Sequence, residues 1–228
     1  MRNHVKHIFF DLDHTLWDFE TNSSRTFAHI FERNTIAMDI VRFNEVYRPI
    51  NQKYWKLYRE DRVSKADLRY YRLREAFDAL GQVVSDEMIH LLSEEYITYL
   101  TTHNALFDHA IEVLSYLREK YRMHIITNGF EEVQHKKLQS SNLLPFFEHV
   151  ITSERVGVKK PDPRIFQYAL QLTGAESSES VMVGDNFEAD ILGAKNVGMH
   201  TIFCEFNGEI ATEKVPTISN LLEIKDFL

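Results

Sequence analysis

Five short apolar runs, beginning near residues 5, 122, 149, 180 and 199, alternate along this chain with helical patterns at about 109–120, 131–141, 163–173, 187–197 and 219–227. Such alternation implies parallel strands joined by right-handed crossovers, so the expected fold is α/β: a Rossmann-like, doubly wound parallel sheet. Sheets of this kind collect their chemistry in the crevice outside the carboxyl ends of the strands, where residues remote in sequence meet. The residues just after each apolar run therefore carry the functional information.

The first run, Val5-Lys6-His7-Ile8-Phe9-Phe10, leads directly into Asp11-Leu12-Asp13-His14-Thr15. In an extended segment residues two apart point the same way, so Asp11 and Asp13 face one centre while Leu12 turns back into the fold. Alone the pattern is weak, because surface Asp clusters are common in loops. The run Arg122-Met123-His124-Ile125-Ile126 ends in Thr127-Asn128-Gly129, a hydroxyl and a pliable backbone suited to a phosphate, or simply a strand followed by a turn. Val150-Ile151-Thr152 leads into Gly157-Val158-Lys159-Lys160-Pro161-Asp162-Pro163, with lysine just ahead of a helix start. Val181-Met182-Val183 ends in Gly184-Asp185-Asn186-Phe187-Glu188-Ala189-Asp190, whose acids alone could serve as the first turn of a helix. Each cluster falls at a strand end, and in a doubly wound sheet those ends converge. Coincidence is the poorer explanation.

Taken in order, Asp11/Asp13/Thr15, Thr127, Lys160 and Asp185/Asp190 resemble the four motifs of the haloacid dehalogenase-like hydrolase superfamily, over nearly the whole chain. Within it, the stretches His7 to Trp17 and Ile125 to Phe130 are most similar to the pyrimidine 5'-nucleotidase branch. The resemblance implies a phosphomonoester hydrolase working through an aspartyl-phosphate on Asp11, with Asp13 as general acid and then base. It implies Mg²⁺ held by the Asp11 carboxylate, the Asp13 backbone carbonyl and Asp185. It further implies phosphate binding by Thr127, the backbone N–H of Asn128 and Lys160, and Asp190 orienting Lys160 or a water on the metal. His14 is expected to line the loop.

The chemistry that such a reaction needs agrees. Each unit pair of like charges at about 4 Å costs roughly 4 kcal/mol at an effective dielectric near 20, so a carboxylate attacking a phosphate dianion needs positive charge beside it. A leaving alkoxide needs a proton and a leaving halide does not, so the acid at Asp13 favours a phosphatase over a dehalogenase. The expected substrate is a nucleoside 5'-monophosphate, pyrimidine favoured. Alternatives are a sugar-phosphate or other small-metabolite phosphatase, or a phosphomutase of the same fold. A receiver-like signalling module fits poorly, since it carries no helical insertion after its first strand, and a non-catalytic binding module would not need every position filled.

Residues 17–104 differ from the remainder, showing helical periodicity and no strand-like alternation. Phe43, Val46, Tyr47, Ile50, Tyr54, Leu57 and Tyr58 form one stripe, Pro49 is expected to kink that helix, Ser64-Lys65-Ala66-Asp67 resembles a capping box, Gly81 marks a stop and Ser85 a new start. In the family this corresponds to a C1-type cap, leaving 1–16 and 105–228 as the core. The segment holds both tryptophans and seven of the ten tyrosines, as aromatics for a flat substrate or as the packing of a small bundle. A formal net charge of −8 argues against a polynucleotide partner. The lone Cys204 excludes an internal disulfide and is expected buried. None of the 11 histidines pairs at metal-ligand spacing. With no secretory signal or 18-residue apolar span, the expectation is a cytoplasmic enzyme of small phosphorylated metabolites, without membrane contact, monomeric or weakly homodimeric.

Overall fold

A computed structural model describes residues 4–228. The chain runs from β1 (His7–Phe10) through four helices, α1 (Phe19–Arg33), α2 (Ile40–Arg59), α3 (Lys65–Ala79) and α4 (Asp86–Leu100). It then alternates: α5 (Ala110–Leu117), β2 (Arg122–Thr127), α6 (Glu131–Ser140), β3 (His149–Thr152), α7 (Ser153–Val156), α8 (Pro163–Thr173) and β4 (Ser180–Gly184). A π-helical turn (Phe187–Leu192), α9 (Gly193–Lys195), β5 (His200–Cys204), β6 (Thr217–Ile218) and α10 (Ile224–Phe227) complete it. Two compact units result, one holding the residues up to Phe19 with Asn104–Leu228, the other Glu20–His103.

In the first unit six strands form one sheet in the order β3-β2-β1-β4-β5-β6, every neighbouring pair parallel. All four residues of β1 are buried, which is why that strand reads as an unbroken apolar run rather than an alternating one. On one side of the sheet Phe9, Ile126, Ile151 and Met182 pack against Ile165, Phe166 and Ala169 of α8. The chain moves from β1 outwards through β2 to β3 and then crosses back to β4 on the other side of β1, so the strand order reverses there and the crevice opens. Cys204 is buried in β5. Among the described residues no helix is long and apolar enough to cross a membrane.

Three local features depart from the sequence patterns. The 187–197 pattern is not one helix but the π-helical turn followed by the three-residue α9. The 219–227 pattern divides into a 3₁₀ turn, Leu221–Glu223, and α10, preceded by the two-residue edge strand β6. The four-residue α7 carries too few turns to show a period.

The second unit is a helical bundle. Ser64 caps α3 with a reciprocal capping box to Asp67, Gly81 follows its end at φ +68°, and Ser85 caps α4. Helix α2 continues through Pro49, and its buried face is rotated from the expected stripe. Asn44, Tyr47, Asn51, Tyr54 and Tyr58 are buried along with Phe43, while Val46, Ile50 and Leu57 are only half-buried. Two asparagines displaced apolar residues because each is satisfied: Asn44 donates to Ser24 Oγ at 2.7 Å, and Asn51 accepts from Arg72 at 3.1 Å. Phe27 meets the rings of Phe31, Phe43, Tyr47 and Tyr96, with Phe77 against Phe31 and Phe43, so aromatic content here serves packing. Trp17 belongs to the first unit rather than this one.

Parallel pairing stacks three histidines across β1, β2 and β3: His7 on His124 at 5.4 Å and His124 on His149 at 5.5 Å between ring centroids. His124 is fully buried, and His7 Nδ1 lies 3.1 Å from its Nε2. Burial first, then the neighbouring His7, His149 and Arg122, lower its pKa to about 3, against the opposing pull of Glu148. Unfolded, the ring takes up a proton near pH 6.5; folded it does not, so stability contributed by the neutral ring is lost as pH falls below 6.5. Replacing His124 with Phe should flatten that acid limb. Denaturant unfolding at pH 7 and pH 5 is expected to show the variant gaining about 2 kcal/mol on the wild type over that interval. A pH-independent difference would contradict it.

Candidate active site

Asp11 leaves β1 with its backbone N–H donating to Val183 O at 2.9 Å, which docks the turn that carries it onto β4. Its carboxylate meets Lys160, whose Nζ lies 2.6 Å from Asp11 Oδ1, 2.6 Å from Asp190 Oδ1 and 2.7 Å from Ile126 O. The contacts to Asp11 Oδ1 and Ile126 O are hydrogen bonds, and that to Asp190 is an ion pair. Lys160 and Asp190 are almost completely enclosed and Asp11 nearly so. Burial works against the charge of Lys160, but the Asp11 and Asp190 carboxylates outweigh it and hold its pKa above the ordinary value.

Local structure delivers these groups. The Asn128 side chain accepts from Lys160 N at 2.8 Å and donates to Lys160 O at 2.9 Å, clamping the lysine loop to the end of β2. Asp162 caps α8 and Pro163 opens it, which fixes the other end of that loop. Asp190 sits on the π-helical turn, and its Oδ2 accepts from Asn186 N at 3.0 Å. Gly184 makes room for it: a Cβ there would lie 2.3 Å from Asp190 Oδ2.

Asp185 is half-buried, accepting from Thr15 Oγ1 at 3.2 Å and from Asn207 Nδ2 at 3.4 Å. Carboxylate oxygens of Asp11, Asp185 and Asp190 lie within 4.8 Å of one another, and Lys160 pairs with two of the three, Asp11 and Asp190. Burial, then the neighbouring acids, push Asp11 up to about 7 despite Lys160, and push Asp185 well above the usual carboxylate range. This cluster is short of positive charge, and its all-oxygen donor set suits a hard divalent cation. A Mg²⁺ ion held by Asp11 and Asp185 fits it.

Asp13 stands apart from that cluster. Its Oδ1 accepts from Lys137 Nζ at 2.5 Å and its Oδ2 from Gln134 Nε2 at 2.8 Å. Both donors come from the inward face of α6, and Lys137 also lies 4.2 Å from the centroid of the Trp17 ring. Thr127 closes β2 almost fully buried, with Gly129 N–H donating to its Oγ1 at 3.0 Å. His14 adopts φ 64° in the loop and packs its ring on Phe19.

Sequence patterning did not single out Gln134 and Lys137. Their signal was a glutamine and a lysine three apart on the same face as the apolar Val133 and Leu138, which reads as a helix with a polar flank until burial is known. Asn128 was expected to act through its backbone, and its side chain proves to be the clamp on Lys160. Parallel pairing also brings ring nitrogens of His124 and His149 and a Glu148 oxygen within 4.8 Å, which linear spacing could not show. There Glu148 is already held by Arg122, at 2.6 Å from Nη2, and His124 Nε2 by His7.

A family model described as haloacid dehalogenase-like hydrolase matches residues 5–198. A pyrimidine 5'-nucleotidase of Streptococcus pneumoniae is 31% identical over 200 residues, covering 87% of this chain and 83% of its own. A glyceraldehyde 3-phosphate phosphatase of Methanothermobacter thermautotrophicus is 35% identical over 240 residues, covering 98% of this chain and all of its own. Among solved structures, a putative hydrolase of Bacillus subtilis bound to magnesium superposes with a TM-score of 0.89 at 26% identity, covering 99% of both chains.

The charge balance of the cluster is testable without any substrate. Replacing Lys160 with Met leaves Asp11 and Asp190 opposed in a buried site. At pH 8 without divalent cations the variant should lose about 3–5 kcal/mol of stability. With the lysine gone, the folded carboxylates bind protons more readily than the unfolded ones, so the loss should shrink as pH falls towards 5. Equal destabilisation at both pH values, measured by thermal unfolding, would show that the lysine contributes packing rather than charge.

Proposed function

This chain belongs to the haloacid dehalogenase-like hydrolase family, and on that premise we propose that it hydrolyses phosphate monoesters, with Asp11 as nucleophile. The observation that carries this reading is the buried Asp11 carboxylate, held by Lys160 at 2.6 Å and within reach of two further acids. Asp11, the Asp13 backbone carbonyl and Asp185 would hold Mg²⁺, which when bound supplies the positive charge that lets an anionic nucleophile approach a phosphate.

The chain's own residues account for the proton and charge movements. An Asp11 oxygen forms the new bond to phosphorus as the bond from phosphorus to the substrate oxygen breaks, giving an aspartyl-phosphate. Asp13 delivers the proton that the departing alkoxide needs, and afterwards removes one from the water that hydrolyses the intermediate. Thr127 Oγ–H donates to a phosphoryl oxygen. Lys160, hydrogen-bonded to Asp11 and Ile126 O and ion-paired with Asp190, fixes and neutralises Asp11.

For substrate we favour nucleoside 5'-monophosphates, pyrimidine first, turned over in the cytoplasm. The support is the resemblance of the first two motifs to the nucleotidase branch, together with the streptococcal nucleotidase relative. The higher identity of the glyceraldehyde 3-phosphate phosphatase supports a second reading, a small sugar or triose phosphate.

Asp11→Asn is isosteric and a poor nucleophile, and it should abolish phosphate release while the fold persists by circular dichroism; EDTA should silence the wild type. Residual activity above a trace would overturn the covalent route. A panel of nucleoside monophosphates and hexose and triose phosphates with Mg²⁺ decides between the substrates. If a triose or hexose phosphate shows kcat/KM tenfold above every nucleotide, the nucleotidase assignment fails.

A further inference from the structure

Thr127 and Asp13 come from different strand ends, yet one side chain binds both. Gln134 of α6 is fully buried, and its Nε2 donates to Thr127 Oγ1 at 2.6 Å and to Asp13 Oδ2 at 2.8 Å. A carboxamide nitrogen has two hydrogens, so these two bonds use both. Its Oε1 is enclosed with no hydrogen-bond partner among the described residues. Turning the amide over would set that oxygen against the Asp13 carboxylate, so Asp13 fixes which way the amide points.

The effect on Thr127 comes from counting lone pairs. Its Oγ1 accepts from Gln134 Nε2 and also from Gly129 N–H at 3.0 Å. With both acceptor positions taken, the hydroxyl has only its proton left to offer. The effect on Asp13 is orientational: Gln134 holds Oδ2 while Lys137 holds Oδ1 at 2.5 Å, so the carboxylate plane is set from both ends.

A glycine makes this arrangement possible. A Cβ on Gly129 would lie 1.9 Å from Gln134 Nε2 and 2.4 Å from its Cδ. Gly129 is not among the residues with left-handed φ, so its backbone does not require glycine. What requires it is the space that the amide fills.

We propose that Gln134 is a positioning residue of this site, turning the Thr127 hydroxyl into an outward donor and aligning the Asp13 carboxylate, and that residue 129 is glycine to admit it. This rests on the aspartyl-phosphate mechanism proposed for Asp11. Losing one aligned donor to a developing phosphoryl charge typically costs on the order of 10²-fold in rate. Gln134→Ala should therefore lower kcat by about 10- to 100-fold while KM moves much less, since the groups it aligns act in the transition state. Gly129→Ala should do nearly the same, because the new methyl displaces the same amide.

The deciding experiment is the double-mutant cycle. With Gln134 already Ala, the methyl at 129 has nothing to displace, so Gly129→Ala/Gln134→Ala should be no slower than the slower single variant. Thermal unfolding should show the matching pattern: Gly129→Ala lowers the melting temperature when Gln134 is present and not when it is absent. Multiplying rate losses, an equal melting penalty in both backgrounds, or wild-type kcat in Gln134→Ala would each overturn the proposal. Asp11→Asn in the same assay separates the two claims. If it stays active, the aspartyl-phosphate reading fails; if it is dead while the cycle is multiplicative, only the role of Gln134 fails.

Discussion

The buried ammonium of Lys160 organises the active site. Lys160 Nζ touches the exit of β1 through Asp11, the end of β2 through Ile126 O, and the π-helical turn after β4 through Asp190, and the loop before α8 supplies the lysine itself. An unpaired lysine buried this deeply would give up its proton or drag water inwards. Surrounded by two carboxylates and a carbonyl, it keeps its charge and joins three strand ends into one geometry. Much of the nearby backbone serves that contact, including the Asn128 clamp and the missing Cβ of Gly184.

The same cluster remains deficient in positive charge. Three acids and one lysine leave excess negative charge in a poorly solvated place, and the raised pKa values of Asp11 and Asp185 express that deficit. A fold that sets like charges together stores free energy that binding a cation releases, because what binds the folded state alone also stabilises it. Towards α6 the design is different. Asp13 and Thr127 are held by Gln134 and Lys137, buried polar groups with defined partners, so direction rather than net charge is what that layer supplies.

The helical unit illustrates how composition misleads when packing is unknown. Its aromatic content is as consistent with a surface for a flat ligand as with a bundle core, and the ring contacts around Phe27, Phe43 and Phe77 assign much of it to the core. The buried face of α2 contains Asn44 and Asn51, whose amides are bonded to Ser24 and Arg72. A stripe drawn from hydrophobicity alone passes over both, since a polar residue qualifies for the interior only through a partner on another helix.

The parallel sheet and the polar residues at its strand ends were legible in the sequence, because buried parallel strands are unbroken apolar runs and the crevice lies where those runs end. Asp11, Asp13, Thr127, Lys160, Asp185 and Asp190 are thus identifiable from their places along the chain. The capping box at Ser64 and the stop at Gly81 were equally plain, since both depend on residues within a few positions of each other. What only the tertiary structure decided are matters of enclosure and partnership: the stacked histidines brought together from β1, β2 and β3, the clamp by Asn128, and the passage of the Gln134 amide over Gly129. Local sequence records periodicity and turn chemistry, both short-range properties. A buried hydrogen bond between residues far apart in the chain is fixed by the distance at which packing leaves them, and no spacing along the chain encodes that distance.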